Sequence, residues 1–212
     1  IAKYKETRNG LIGTEYSSKF SAYLSTGSIS PVTIYHETKK FEKEVKKNSS
    51  TYWLIFELMW REFFRYVTKK GKKNIFMING INGNIFNKNF NSDIKLFKKW
   101  CNGETGQEFI DANMIELNST GFMSNRGRQN VASYLINDLD LNWTWGAAYF
   151  ESKLIDYDVS SNWCNWMYMA GVGNNVRNWA FNPSKQSEMY DKVGKFRSLW
   201  LNKKIGQQII DF

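Results

Sequence analysis

The segment Asn125-Arg126-Gly127-Arg128 and the later run Asp156-Tyr157-Asp158, with Asn162, Trp163, Asn165, Trp166 and Tyr168, hold the side chains best equipped for chemistry. Guanidinium forks pair with carboxylates or phosphates and stack on rings, so this mixture of charges, amides and rings suits a large, polar, aromatic ligand. The glycine between the arginines would let backbone approach such a ligand closely. A basic helix with a satisfied salt bridge is the plainer reading of the same residues.

Two further groups are candidates. Ser17, Ser18 and Ser21 surround Lys19 and Phe20 ahead of the helical run Ala22-Tyr23-Leu24. Their hydroxyls would satisfy free helix N–H groups, and equally would receive phosphate oxygens. Glu57, Trp60 and Arg61 fall at i, i+3 and i+4, which places all three on one helix face. A core tryptophan beside a salt bridge would show the same spacing.

These residues need helices to position them. Ser30-Pro31 reads as an N-cap with proline in the first turn. Ser50-Thr51 reads as the cap of a long apolar and aromatic helix over 52–68, ended by the lysine and glycine run 69–73. Further helices are predicted over 111–117, 126–139 and 145–155, and Asn162 and Trp166 would share a helix face. Only 74–78 shows weak strand alternation, and the stretches 79–91 and 171–183 read as long loops. The expected fold is all-α, a single domain over 1–212.

Composition narrows the function. A 42% hydrophobic share with 17% aromatics is enough for a buried core, and no apolar run reaches the roughly 20 residues that span a bilayer. The start is unlike a signal peptide, so an intracellular, cytoplasmic protein is expected. A net charge of +9 favours a polyanionic partner, nucleic acid first, although the lysine runs 39–47 and 69–73 also read as solvated faces. Cys101 and Cys164 with the sole histidine, His36, make neither a metal site nor a disulfide framework nor a histidine-based triad.

The runs Tyr16-Ser-Ser-Lys-Phe-Ser21, Phe56-Glu-Leu-Met-Trp-Arg-Glu-Phe-Phe64, Thr120-Gly-Phe-Met-Ser-Asn-Arg-Gly-Arg-Gln129 and Asp156-Tyr-Asp-Val-Ser-Ser-Asn-Trp-Cys-Asn-Trp-Met-Tyr168 together resemble the cryptochrome/photolyase family. Gln129 and Tyr168 resemble its DASH-type members, and the likeness runs from Tyr4 to about Trp200. The resemblance implies the C-terminal, helical FAD-binding half, without the α/β domain that carries an antenna pigment. It implies that Tyr4, Ser17, Ser18, Lys19, Phe20 and Ser21 hold the FAD pyrophosphate, with Arg61 on the flavin side. Arg128 and Asp156 would pair beside the isoalloxazine ring, Asp158 would bond ribityl or ring-edge groups, and Asn162 would face N5. Glu57, Trp60, Asn125, Gln129 and Tyr168 would hold a cyclobutane pyrimidine dimer, with Asn125 also near the cofactor. Trp166 and Trp143 would be the first two donors of a photoreduction chain.

Some positions depart from the family's pattern. Phe90 stands where a third tryptophan is usual; Trp145, Trp163, Trp100 or tyrosines would have to substitute, and each of these tryptophans also reads as core. Val32, Ile115 and Thr144 stand where arginines are common, Gln107-Glu108 replaces an aromatic-proline pair, Asn175-Val176 replaces Asp-Pro, and Trp179 is unexpected. Such changes fit a redesigned flavin domain or a natural relative without its N-terminal domain, and an uncovered interdomain face would favour self-association. The expected activity is light-driven repair of dimers in single-stranded DNA. A photoreceptor without catalysis and a flavin-free helical nucleic-acid binder are the competing readings. Without a second histidine, (6-4) repair is not expected.

Overall fold

The computed structural model describes residues 1–82, 90–175, 177 and 179–210, with residues 203–210 for backbone alone. In chain order the helices are α1 (Tyr4–Thr7), α2 (Phe20–Thr26), α3 (Pro31–Glu44), α4 (Ser49–Gly71), α5 (Ile94–Asn102), α6 (Glu108–Thr120), α7 (Asn125–Ser133), α8 (Trp143–Lys153), α9 (Val159–Ala170), α10 (Pro183–Tyr190) and α11 (Lys195–Ile210). Among the described residues the only β pairing is one isolated bridge, Asn91 to Leu141. The fold is all-α, as the periodicity implies.

Local chemistry explains most boundaries. Ser30 caps α3 by accepting from the Val32 amide, with Pro31 at the first helical position. For α4 the expected cap is corrected. Asn48 accepts from the Ser50 and Thr51 amides, and the Thr51 hydroxyl accepts from the Asn48 amide, so Ser50 and Thr51 lie inside the helix. The helix runs on to Gly71, past the predicted end at Thr68. The weak strand at 74–78 is also corrected: Lys72–Phe76 is a 3-10 helix that sinks Ile75 completely into the core.

The helix predicted over 126–139 begins at Asn125, capped by Ser124, and its last part, Tyr134–Asp138, widens into a π-helical turn. The helix predicted over 145–155 begins earlier, at Trp143, because the Asn142 side chain accepts from the Thr144 amide. The short helix expected over 111–117 extends to Glu108–Thr120. Of the two predicted loops, residues 83–89, 176 and 178 lie outside the described residues, and so does the departure at Val176. The remainder carries no α-helix before Pro183.

Three apolar clusters join the helices. The largest lies among α4, α5, α6, α7, α8 and α9 and includes the fully buried Trp100 and Trp143, whose indole N–H groups donate to Val131 O and Ile78 O. A second packs α11 on α6 through Phe109, Ile115, Phe196 and Trp200. A third ties α2 and α3 to α4 through Leu24, Ile34 and Leu54. Cys101 and Cys164 are buried free thiols, and burial pushes the Cys101 thiol up to about 12. Ile115, one of the departures noted in the sequence, is a core residue under α11.

Gly127 has a different role from the one its spacing suggests. A Cβ there would lie 2.1 Å from Asn113 Oδ1 and 2.8 Å from Met123 Cγ, so the glycine lets α7 press on α6, not on a ligand. Gly127→Ala is expected to lower stability by about 1–3 kcal/mol through overpacking. A denaturant melt reads this directly, and an unchanged midpoint would mean that α6 and α7 separate without cost.

Candidate functional site

A cavity of about 530 Å³ opens between the α1–α2 segment, α4, α7 and α9. The volume lies in the range of pockets that enclose small molecules and cofactors. Tyr4, Ser17, Ser18, Phe20 and Ser21 form one wall; Glu57, Trp60 and Arg61 line a second along α4, confirming their shared face. Asn125, Arg128 and Gln129 of α7 face Asp156, Asp158, Asn162, Trp166 and Tyr168 of the α9 side. Of the residues that the sequence placed at the site, Lys19, Arg126, Gly127, Trp143 and Trp163 do not line it; Arg126 instead donates to Asn9 Oδ1 and lies over the Tyr190 ring.

Lys19 is turned away for a physical reason. Its backbone is left-handed, with φ of 56°, and its ammonium donates to the Tyr16 hydroxyl at 2.9 Å while lying over the Tyr16 and Phe122 rings. Burial pulls the Lys19 ammonium below its usual range, with Glu116 opposing and Arg128 adding to the shift. Nor do the serines cap α2: Lys19 precedes the helix, and Ser17 Oγ accepts from the Lys19 amide.

At the floor, Arg128 Nη2 donates to Asp156 Oδ2 at 2.8 Å and its Nε donates to Met123 O at 2.9 Å. The pair joins α7 to the turn before α9, with the Asp156 side chain only 1% exposed. Asp156 Oδ1 and Gln129 Oε1 are buried and have no hydrogen-bond partner among the described residues. Two such acceptors beside a cavity are expensive unless a ligand completes them. Behind Arg128 lies Glu116 of α6, whose carboxyl is pushed up to about 8 by burial, against the pull of Lys19 and Arg128.

On the α9 side, Asp158 Oδ1 accepts from the Ser161 amide and hydroxyl and so caps the helix that carries the next residues. Asn162 Nδ2 donates to Ala147 O at 2.9 Å, which orients the amide. Trp166 packs edge-on to Phe150 at 5.1 Å and needs Gly146, where a Cβ would come within 2.3 Å of its ring.

At the opposite side the sequence reading missed Arg8, which follows Tyr4 by one helical turn. Arg8 donates to Glu57 Oε1, which also accepts from Trp53 Nε1 at 3.1 Å, and its guanidinium lies over the Trp53 ring. Glu57 therefore enters the cavity with one oxygen already committed to the protein. Arg61 is anchored as well, donating to Leu24 O and pairing with Glu62.

The family described as the FAD binding domain of DNA photolyase matches residues 53–207. The chain belongs to that family. The cryptochrome DASH of Synechocystis sp. is 54% identical over 204 residues, which cover 95% of this chain and 41% of that protein. The crystal structure of the Synechocystis cryptochrome overlays with a TM-score of 0.91 at 52% identity, covering 95% of this chain and 41% of that one. An archaeal photolyase from Sulfolobus tokodaii, solved with two FAD molecules, overlays with a TM-score of 0.76 at 32% identity, covering 92% and 42%. The chain thus spans about two fifths of the length of the relatives it matches.

As a photolyase-type FAD-binding domain, the chain offers residues that fit the cofactor. The unpartnered Asp156 Oδ1 awaits a donor, Arg128 supplies fixed positive charge, and Ser17, Ser18 and Ser21 supply hydroxyls on the facing wall. The rings beyond Trp166 are also ordered. Trp166 meets Trp100 at 6.3 Å and Trp100 meets Tyr149 at 5.8 Å, whereas Trp143 meets Trp163 at 6.0 Å and Trp163 meets Phe76 at 4.9 Å. Two aromatic strings are therefore present, Trp166–Trp100–Tyr149 starting at the cavity and Trp143–Trp163–Phe76 ending at an exposed ring. Among the described residues no helix is long and apolar enough to cross a membrane, and no His, Cys, Asp and Glu cluster suits a metal.

Proposed function

We propose that this FAD-binding domain splits cyclobutane pyrimidine dimers in single-stranded DNA under blue light. The observation that carries the reading is one cavity with two chemistries. Its floor has the Arg128–Asp156 pair and Asn162; its opening has the Trp60 and Tyr168 rings 6.4 Å apart at 76°, with Glu57, Asn125 and the unpartnered Gln129 Oε1 beside them. An extruded pyrimidine dimer needs flat apolar walls and a few polar groups at its base edges. Bound FAD would supply the light-driven one-electron chemistry.

The chain's own residues would then orient and shelter. Trp60 and Tyr168 hold the two base faces and exclude water, and Gln129, Asn125 and the free side of Glu57 bond the base edges. Asn162, oriented by Ala147 O, presents a neutral amide that adapts to either protonation state of a neighbouring ring nitrogen. Arg128 holds positive charge where negative charge would develop. Trp166 and Trp143 serve as donors for photoreduction, with Trp100 and Tyr149 continuing the string from Trp166.

The test is repair of a dimer-containing single-stranded oligonucleotide by FAD-reconstituted protein under blue light, with Trp60→Ala alongside. Light-dependent recovery of thymine absorbance, lost by about a hundredfold in the variant, supports repair. FAD photoreduction without any repair would favour the photoreceptor reading, which the Trp166–Trp100–Tyr149 branch also serves.

A further inference from the structure

Trp179 is left unexplained by the flavin site. It is 37% exposed, yet it stacks nearly parallel on Tyr168, with 6.1 Å between centroids and 17° between planes, and Phe181 lies 6.3 Å beyond it. Its position is held from both sides of the backbone: its N–H donates to Met169 O, and its carbonyl accepts from Asn137 Nδ2 at 3.1 Å. A ring that merely filled the core would be hidden. This one is presented outward on a fixed support.

The opposite lip carries a similar pair. Tyr52, 59% exposed, stacks on Phe56 at 5.9 Å and 18°, and Phe56 lies edge-on to Trp60 at 6.2 Å. Trp60 in turn meets Tyr168. A belt of rings therefore runs from Tyr52 to Trp179, with a parallel stack at each end and the cavity-lining Phe56, Trp60 and Tyr168 along its middle. Cations flank both ends. Lys5 and Arg8 lie over Trp53, which packs on Phe56, and the exposed Arg177 precedes Trp179 by two residues. Exposed rings flanked by cations are what an unpaired nucleic-acid strand requires: π-faces for bases and positive charge for phosphates.

We propose that Trp179 and Tyr52 are stacking platforms for the unpaired bases that flank the cavity-bound residues of a single-stranded nucleic acid. The inference rests on the proposed function, since it takes the cavity as the place of the extruded bases. Each platform grips one neighbouring base and so favours single strands over duplex, whose bases are already stacked.

The experiment measures dark binding of FAD-loaded protein to a fluorescent single-stranded oligonucleotide with a central thymine dimer, to the duplex of that sequence, and to the dimer dinucleotide without flanking bases. Trp179→Ala is expected to weaken the oligonucleotide about tenfold, to leave the dinucleotide unchanged, and to narrow the preference over duplex. Trp179→Phe is expected to restore most of the affinity, and Tyr52→Ala to repeat the loss at the other end. Oligonucleotide affinity in Trp179→Ala within about twofold of the parent, equal loss for the dinucleotide, or equal loss for duplex would each overturn the inference. So would a change in oligomeric state without a change in affinity, because the ring would then face protein. Failure of the parent to split the dimer rejects the repair reading alone, since the comparison of flanked and unflanked ligands stands without light.

Discussion

Replacing Arg128 with methionine is expected to destabilise the protein by about 3–5 kcal/mol, because Asp156 would be left as a buried charge without its partner. The Asp156 side chain is 1% exposed and its other oxygen already lacks a partner among the described residues. Methionine keeps the aliphatic bulk under Phe122 but supplies neither the donor to Asp156 nor the donor to Met123 O. Combining it with Asp156→Leu is expected to recover most of the loss, since an apolar pair of similar volume commonly replaces a buried ion pair without penalty. FAD retention is expected to fall in both variants, which separates the stability role from the binding role. Urea unfolding of the two single variants and the double variant measures the coupling; a single-variant loss under about 1 kcal/mol would place the pair with ordinary exposed salt bridges.

The second large effect is expected at Glu116, and it depends on pH. The carboxyl is 6% exposed, Oε2 has no partner among the described residues, and its ordinary value of 4.5 is raised to about 8 by burial. Between those two values the folded state holds a proton that the unfolded chain has released. Stability from this group is therefore intact below pH 4.5, declines as pH rises through the window, and reaches its full penalty above about pH 8. Glu116→Gln removes the ionisation but keeps the shape. It is expected to match the parent near pH 4.5 and to exceed it by on the order of 4 kcal/mol at pH 9. The comparison cancels the burial of Tyr16 and Lys19, which both proteins share, while their electrostatic coupling to Glu116 is part of the measured difference. Parallel stability curves across that range would show that Glu116 ionises without hindrance.

Much of the site was legible because its residues sit in long runs whose spacing survives folding. Glu57, Trp60 and Arg61 reach one cavity simply because helical periodicity puts them on one face. What escaped depended on contacts between distant segments. Arg8 matters only because α1 lies against α4, bringing it to Glu57 and Trp53, and nothing in its neighbours announces that. Gly127 is a packing residue because Asn113 happens to face it across the α6–α7 junction. Lys19 was misplaced because a left-handed backbone, which Lys rarely adopts, swings its side chain onto Tyr16 and Phe122.

The helix ends show the same division. Ser30-Pro31 offers one capping residue followed by one proline, and the cap falls there. Asn48, Ser49, Ser50 and Thr51 are all capping types, so propensity cannot rank them; Asn48 prevails because its Nδ2 also donates to Ala2 O, tying α4 to the chain's first residues. Asn182-Pro183 repeats the Ser30-Pro31 pattern and does start α10, yet the surrounding Gly and Asn residues disguise it as the tail of a loop. The π-helical turn at Tyr134–Asp138 leaves no mark in composition, since its residues are ordinary helix formers in sequence.

Helix α6 is buried at every residue from Phe109 to Leu117, and it stands between α7 at the cavity floor and α11 on its far side. Solvent reaches those amides only when the whole assembly comes apart, so their exchange with deuterium should be the slowest in the chain and should report the global unfolding free energy. A ligand that completes Asp156 and Gln129 would then slow exchange in α6 without touching it, and the amides of this one helix become a gauge of occupancy in the cavity above them.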